Sequence, residues 1–557
     1  MRNRLTLHAC ILPLLALVAG ATGGCTGDDP LLCTGTDCAP SEGPSSGGGG
    51  FELAGGPGGA PVALVQGGVV QLDITITRSG FEGPVNATAV GLPPGVAVSP
   101  LVIPAGATGG RLSLSALSNV PQGTRSITIT AVDLDGKLRR ERSASLLVRG
   151  PSGSLDTTFG AAGKVSTKIG VDGIGVRGLA VQADGRILVG GQSEKDVVLA
   201  RLGSDGLLDA TYGAQGKITA DLKVAGTSSY DVAEGLALAP NGGAVIAGWT
   251  TNPTSNYAVA RFSSAGALDT TFDNAGYVVT PFAPQPTWNG DVLALAVVVQ
   301  PDGKPIFGGK ILEMGAKHHP VIARFKATGA LDDTFGSNDS GWFSRQAYVG
   351  ATPLDASDDE CSALALAPGD KIVGAGTSEQ GGKRFFIVRL DSKGKPDPSF
   401  GSGGFTQIAF PKDATAHSVH TLPDGRVLVT GTTETKMVVA RLDESGRLDT
   451  QFGGTGKVLV DLGAPIVETS ARSVLDPSGR VVISAATGVD NDIVIARVLD
   501  TGVVDSSFGT DGHVVAKLGA RGIATNVRIA LQPDGRIVAA TNLDAVSPQL
   551  VAFRLWP

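Results

Sequence analysis

The sequence predicts an all-β protein in which a seven-bladed β-propeller follows a smaller β-sandwich. Three observations lead to this fold class: the composition, an alternation of apolar and polar residues over residues 51–150, and a sevenfold repeat over residues 151–557. The 557 residues include 80 Gly and 32 Pro, which suits many short strands joined by tight turns. A net charge of −7 and a pI near 5.5 argue against nucleic acid as a partner.

Residues 1–24 are predicted to be a secretory signal peptide. Met1-Arg2-Asn3-Arg4 is basic, residues 5–20 are mostly apolar, and small residues precede Cys25. The apolar run is too short to span a bilayer. Because it ends in small residues and a Cys, the segment resembles a bacterial lipoprotein signal, although Thr22 stands where Leu is usual. The resemblance implies acylation of Cys25, with the lipid as the sole membrane anchor, and outer-membrane sorting because Thr26 rather than Asp follows. The alternative is cleavage near Gly24 and secretion.

Residues 25–50 are predicted to be a flexible tether, since they are rich in Gly and Ser and have no apolar pattern. Cys33 and Cys38 lie close together there, so we expect a small disulfide loop in an oxidising compartment. Cys361 precedes an apolar run and is expected to be a buried, inert thiol.

Residues 51–150 are predicted to form an antiparallel β-sandwich. Residues 70–77, 111–115 and 126–132 alternate between apolar and polar, and Asp133-Leu134-Asp135-Gly136 predicts a hairpin into a last strand at 143–149. The segment Gly91-Leu92-Pro93-Pro94-Gly95-Val96 resembles turns of bacterial immunoglobulin-like domains. This resemblance implies an immunoglobulin-like sandwich.

Residues 151–557 contain seven copies of three elements in a fixed order. The first is a turn of the form Leu-Asp-x-x-Phe-Gly, whose aspartates are Asp156, Asp209, Asp269, Asp332, Asp397, Asp449 and Asp505. The second is a Pro-Asp-Gly turn midway through each unit. The third is an Arg followed by an apolar residue, at Arg201, Arg261, Arg324, Arg389, Arg441, Arg497 and Arg554.

These three elements resemble the delta-60 repeat family of bacterial secreted and surface proteins. The chain departs from the family pattern at Asp273 (for Gly), at Pro396 (for Leu) and at the rearranged turn beginning with Pro368. The resemblance implies a β-propeller and no established enzymatic activity.

The strand pattern of each unit leads to the same architecture. Each unit holds four strand-like runs, and four short antiparallel strands make one blade of a propeller. The last unit lacks a downstream strand, so residues 164–168 are predicted to complete the blade that begins near Asn526. This interlocked closure is favoured over seven self-contained blades because an open ring would expose strand edges.

The repeated aspartates and arginines are predicted to be structural, with the aspartates bonding their own turns and the arginines pairing with them. Non-repeated residues are better candidates for binding. The first and third connections of each unit vary in length and share one face, so we expect a ligand there, towards units two to four. The candidate ligand-facing residues are Trp288, His318, His319, Asp355, Asp358, Asp359 and Glu360.

No catalytic residue, metal site or cofactor is predicted. The acidic group from Asp355 to Glu360 is interpreted as a solvated loop, with calcium binding as the alternative. His417 and His420 are three apart in a strand, which places them on opposite faces and argues against shared metal ligation.

The predicted function is non-enzymatic binding or scaffolding of an unknown protein or polysaccharide at the cell envelope. The alternative is a propeller enzyme, such as a glycosidase, a lyase or a quinone-cofactor dehydrogenase. A channel lined by several convergent, non-repeated polar residues would favour the enzyme. An apolar or merely acidic channel would favour binding.

Overall fold

The computed structural model describes most of residues 49–557. The ranges outside the description are 1–48, 55–58, 224–225, 252–254, 281–287, 314–316, 337–339, 345–357, 380, 463–464, 488–491, 519–525 and 544–547. The predicted signal peptide, Cys25, Cys33, Cys38, Asp355 and nearly all of the predicted tether therefore lie outside the described residues. The side chain of Trp288 also lies outside them.

The described residues form nine β-sheets and no helix, which confirms the all-β prediction. They accordingly contain no helix that could cross a membrane.

Two sheets lie within residues 50–149. Their strands are β1 (Gly50–Leu53), β2 (Val62–Val65), β3 (Val69–Ser79), β4 (Val85–Val90), β5 (Val96–Ser99), β6 (Leu101–Ile103), β7 (Gly109–Ala116), β8 (Gly123–Asp133) and β9 (Arg139–Arg149). One sheet has the order β1-β3-β7-β5 and the other β2-β9-β8-β4-β6. Alternate side chains of both sheets, such as Ile74 and Ile129, share one apolar core. The predicted hairpin at Asp133 joins β8 to β9.

Seven four-stranded sheets follow. The strands are β10 (Lys164–Thr167), β11 (Gly175–Val181), β12 (Ile187–Ser193), β13 (Asp196–Leu202), β14 (Lys217–Ala220), β15 (Tyr230–Leu238), β16 (Ala244–Thr251), β17 (Ser255–Phe262), β18 (Tyr277–Thr280), β19 (Trp288–Val299), β20 (Pro305–Glu313), β21 (Lys317–Arg324), β22 (Trp342–Ser344), β23 (Ala363–Ala367), β24 (Lys371–Ser378), β25 (Arg384–Leu390), β26 (Phe405–Ile408), β27 (Ala414–Thr421), β28 (Val427–Thr433), β29 (Lys436–Leu442), β30 (Lys457–Val460), β31 (Arg472–Leu475), β32 (Val481–Ala486), β33 (Ile493–Val498), β34 (His513–Ala516), β35 (Arg528–Leu531), β36 (Ile537–Leu543) and β37 (Gln549–Leu555).

Six of these sheets use four consecutive strands, as in β11-β12-β13-β14. The seventh has the order β10-β37-β36-β35, so its outer strand comes from the beginning of the repeat region. Lys164 of β10 pairs with Phe553 of β37. The predicted interlocked closure is therefore confirmed.

The first strands of the seven sheets contact one another in a closed ring. β11 contacts β15, the contacts continue in order through β19, β23, β27, β31 and β35, and β35 contacts β11. An apolar cluster fills the space between each pair of neighbouring sheets. One of these clusters joins Val189 of the first sheet to Val538 of the last. The sheets are therefore stacked face to face around an axis, in a propeller-like arrangement.

Candidate functional site

The repeated polar residues form a scaffold that links neighbouring sheets. In each repeat the Arg Nε donates to the Asp Oδ2 at 2.7–2.9 Å. Each guanidinium lies 4.5–5.0 Å from the centroid of the buried aromatic ring of a repeated turn, which is Phe in six repeats and Tyr212 in one. Arg201 also donates to the Ser264 carbonyl of the next sheet at 2.7 Å, and most of the other six arginines repeat this contact. The arginines pair with the turn aspartates as the sequence predicts.

A cavity of about 210 Å³ lies on the axis, where the first strands meet. Its polar lining comes from five sheets and is not repeated. It includes Arg177 of β11, Glu234 of β15, His417 and His420 of β27, Arg472 and Ser473 of β31, and Arg528 of β35. We take this axial cavity as the candidate functional site.

β-Bulges direct several of these side chains to the axis. The register of β11 with β12 slips between Val176 and Gly178, which leaves Arg177 as the extra residue. The same slip leaves Glu234 in β15 and His417 in β27 as extra residues. A bulge adds one residue and re-aims a side chain. The expectation that His417 and His420 face opposite ways is therefore wrong, because the bulge brings both to one cavity.

The two histidines are held neutral by their surroundings. His417 Nε2 lies 2.7 Å from the Glu468 carbonyl oxygen, which only accepts, so Nε2 carries the proton and donates it. Burial lowers the pKa of His417 to about 3, and the nearby Arg472 cation adds to this effect. Burial lowers the pKa of His420 to about 4, against the effect of the Ser473 backbone. The Nε2 of His420 lies 2.9 Å from the Ser473 hydroxyl oxygen.

The arginines give the cavity a positive charge. Arg177 Nη1 lies 3.3 Å from Glu234 Oε2, so one guanidinium is paired with the carboxylate of the wall. Neither Arg472 nor Arg528 has a carboxylate within ion-pair distance among the described residues. Arg472 Nη1 donates to the Ala471 carbonyl at 2.7 Å, and Arg528 donates through Nε to the Arg177 carbonyl. Most of their N–H groups therefore remain available to a bound group.

A glycine makes the bulge beside His417 possible. A Cβ at Gly431 would lie 2.0 Å from the Thr415 carbonyl oxygen of the bulged strand. We expect Gly431→Ala to reduce the free energy of unfolding by about 1–3 kcal/mol, because backbone must move to relieve the clash. The matched position in the next sheet is Ala485, where no bulge interrupts the pairing of β31 with β32. The reverse change there, Ala485→Gly, should cost about 0.5–1 kcal/mol in urea unfolding. Equal losses for the two variants would count against this role of Gly431.

The structure brings some of the candidate ligand-facing residues together outside the lining of the axial cavity. His318 Nδ1 lies 2.7 Å from Asp358 Oδ1, and Lys310 Nζ lies 3.1 Å from Glu360 Oε2. Asp359 and His319 are buried. Asp358 and Glu360 of the acidic group therefore contact two different partners, His318 and Lys310. Cys361, which follows it, is fully buried, and burial raises the pKa of its thiol to about 12, as expected for an inert cysteine.

Three carboxylates that sequence analysis did not connect meet between the first two repeat sheets. One oxygen from each of Asp196, Asp221 and Asp231 lies within 4.8 Å of the others, so the group could hold a divalent cation. Burial raises the pKa of Asp231 and of Asp196, and the charge of Asp221 raises both further. The three residues come from different strands and connections, and no short motif links them.

Without a cation, this cluster should cost stability at neutral pH. Asp221→Asn removes the charge that opposes ionisation of Asp196 and Asp231, so we expect a gain of about 0.5–1 kcal/mol in urea unfolding at pH 7. Asp172→Asn, at an exposed position, is the control and should have no effect. A loss of stability in Asp221→Asn, reproduced by EDTA in the wild type, would contradict the repulsion and indicate a bound cation.

Comparison with known proteins supports a β-propeller repeat family. Residues 182–212, 239–272, 300–335, 370–400 and 422–452 match the model of a family described as a domain of unknown function (DUF5122) beta-propeller. Each stretch runs from the Pro-Asp-Gly turn region to the aromatic residue of the turn of the form Leu-Asp-x-x-Phe-Gly. No curated protein matches the sequence significantly.

Several solved structures are similar to the chain at low identity. A quinonprotein alcohol dehydrogenase-like protein from Bacteroides thetaiotaomicron is 11% identical, with 82% of this chain and 95% of that chain covered and a TM-score of 0.31. The Nup133 beta-propeller domain from Vanderwaltozyma polyspora is 11% identical, with 70% and 97% covered and a TM-score of 0.35. A GH43 beta 1,3 galactosidase is 14% identical, with 70% and 94% covered and a TM-score of 0.26. Likeness at this level carries no statement about activity.

Proposed function

We propose that this β-propeller repeat protein is an envelope-anchored, non-enzymatic binding protein that takes its ligand in the axial cavity. In this proposal the seven sheets are seven blades of a delta-60 type propeller, and residues 51–150 are an immunoglobulin-like spacer. The ring of seven first strands supports the blade number. Two sheets around one core support the sandwich.

One observation carries the choice of site. Non-repeated polar side chains of five sheets converge on one cavity, while the repeated polar residues are occupied in links between sheets. Repeats that keep a constant framework and differ at a few inward positions of their first strands are the pattern expected of a binding surface on a constant scaffold.

The same convergence also favours the alternative, an enzyme. Ser473 Oγ lies 2.9 Å from His420 Nε2, which is the geometry of a nucleophile beside a base. Burial, however, lowers the pKa of His420 to about 4, and a base that weak is poorly matched to neutral pH. Ser473 Oγ also lies 2.7 Å from Thr430 Oγ1, so its hydroxyl takes part in a structural hydrogen-bond chain. Binding is therefore the function that the geometry favours.

Filling the cavity tests the proposal. Leu295 lines the cavity, so Leu295→Trp should occupy its volume without removing any charged side chain. We expect ligands or partners captured by the full-length wild type to be lost from this variant, while urea unfolding shows an intact fold. Retention of every captured ligand by Leu295→Trp would exclude the axial cavity as the binding site. Turnover of a captured ligand that Ser473→Ala abolishes would favour the enzyme.

Anchoring is tested separately. If Cys25 is acylated, Cys25→Ala should move the protein from the detergent phase to the aqueous phase on phase partition, since the acyl chains would be its anchor. Palmitate incorporation into the wild type is the accompanying measurement. The same partition for both proteins, without incorporated palmitate, would favour secretion. The ligand in this proposal is an extracellular protein or polysaccharide, or a part of one small enough to enter.

A further inference from the structure

We infer that the axial cavity binds an oxyanion, a carboxylate or a phosphate, between the guanidinium groups of Arg472 and Arg528. This inference rests on the proposed binding function of the same cavity and names the chemistry of its ligand.

Three guanidinium groups and one carboxylate face the cavity. Since Arg177 is paired with Glu234, the charges of Arg472 and Arg528 are not balanced by a carboxylate among the described residues. Both histidines are neutral at pH 7, because their pKa values are lowered to about 3 and about 4. The Glu360 carboxylate acts on Arg472 from a distance but is paired with Lys310. An anion of one or two charges would neutralise the wall.

Arg472 and Arg528 line the same axial cavity, and the charge of Arg472 acts on Arg528. Arg528 is 8% exposed, and Arg472 keeps part of its surface on the cavity. Burial lowers the pKa of Arg472 to about 10, the Glu234 carboxylate opposes this effect, and the Arg177 cation adds to it. Burial also lowers the pKa of Arg528, and the Arg472 cation lowers it further. Three guanidinium groups that share a cavity with one carboxylate are stabilised when an anion enters among them.

The free donors fit the geometry of an oxyanion. Arg472 uses one nitrogen for backbone carbonyls, and Arg528 donates to backbone carbonyls through Nε and Nη1, which leaves its Nη2 for a ligand. A guanidinium presents parallel N–H groups that match the two oxygens of a carboxylate or phosphate. The Ser473 hydroxyl lines the same cavity but is held by His420 and Thr430, so the arginines supply the donors.

The size of the cavity limits the ligand. A volume of about 210 Å³ is below the usual 300–1,000 Å³ of sites for drug-sized ligands. The site therefore takes a small acid, or the acidic end group of a longer molecule.

The experiment uses the full-length protein and four probes at constant ionic strength and pH 7. Inorganic phosphate and sulfate test an inorganic oxyanion, glucuronate tests an organic carboxylate, and glucose is the neutral match of glucuronate. We expect at least one anion to raise Tm and to give a calorimetric isotherm, and glucose to do neither. The anion that binds identifies whether the source is inorganic or organic.

Arg472→Met should weaken binding of that anion about tenfold or more, since it removes a charge-assisted hydrogen bond. The control is Arg384→Met, at a position outside the cavity, which should leave the affinity unchanged. Without ligand, Arg472→Met should keep or raise Tm, because it removes a charge that is repelled by Arg528. A purely structural arginine would instead lower Tm when replaced.

Failure to bind any of the three anions at millimolar concentration, or an affinity unchanged in Arg472→Met, would overturn the inference. Binding of glucose that Leu295→Trp abolishes would also overturn it while leaving the proposed binding function in place. Loss of the proposed function is recognised differently, as captured partners that are insensitive to Leu295→Trp.

Discussion

Asp156→Ala should reduce the free energy of unfolding by about 3–5 kcal/mol, the cost of removing one partner of a buried ion pair. Asp156 is fully buried, and its Oδ2 accepts from Arg554 Nε and from Arg536 Nη1, both at 2.8 Å. Arg554 is 2% exposed, so the substitution leaves its charge buried and without this carboxylate. The pair joins the first turn of the repeat region to its last strand.

The matched control is Asp209→Ala, which breaks the equivalent pair with Arg201 inside the ring. Its side chain is 13% exposed, so water can replace part of the lost interaction and the cost should be smaller. Urea unfolding, followed by tryptophan fluorescence, measures both. Equal losses would show that the pair at the closure contributes no more than the others.

Lowering the pH from 7 to 5 should cost the fold about 2 kcal/mol for each of His417 and His420. The pKa of an unfolded histidine is about 6.5, and burial lowers the folded values to about 3 and about 4. The unfolded chain then binds protons that the folded protein cannot bind. This stability is fully present above the unfolded pKa and is lost as the pH falls towards the folded values. Arg472 and Arg528 both disfavour protonation of His417.

Urea unfolding of the wild type, His417→Gln and His420→Gln at pH 7, 6 and 5 measures this slope. Each replacement should remove about 2 kcal/mol of the pH dependence, whatever its effect on stability at pH 7. His513→Gln, on the outer strand β34, should leave the slope unchanged. A wild-type slope that neither cavity variant reduces would rule out these histidines as its source.

Much of the scaffold follows from local pattern. The repeated turns predicted four-stranded units, and the missing strand after Arg554 predicted that β10 closes the last sheet. These features depend on turn chemistry and on the order of elements, and both can be identified directly in the sequence. The prediction of the sandwich strands was less complete, because β1, β4 and β6 are short or lack a long alternating pattern.

The axial cavity was not predicted, and the reason is physical. A regular strand with period two would place His417 and His420 on opposite faces. The bulge at His417 changes this orientation, and a bulge depends on cross-strand pairing with a partner such as Gly431. Arg177, Arg472 and Arg528 carry no motif. The available signal was a comparison of the seven first strands, in which two adjacent positions carry the polar residues. Arg177, Glu234 and His417 occupy one position, and Arg472 and Arg528 occupy the next, where the other repeats have Gly, Ala or Ser.

The pairing of β10 with the last sheet also delays completion of the fold during synthesis. Asp156 and Arg554 are 398 residues apart, and at about 5–20 residues per second a ribosome needs roughly 20–80 seconds to pass from one to the other. Throughout that interval β10 has no partner strand. A growing chain can stack six complete sheets, yet it cannot finish the ring until the final residues emerge. A product of premature termination would therefore keep exposed strand edges, the kind that aggregate.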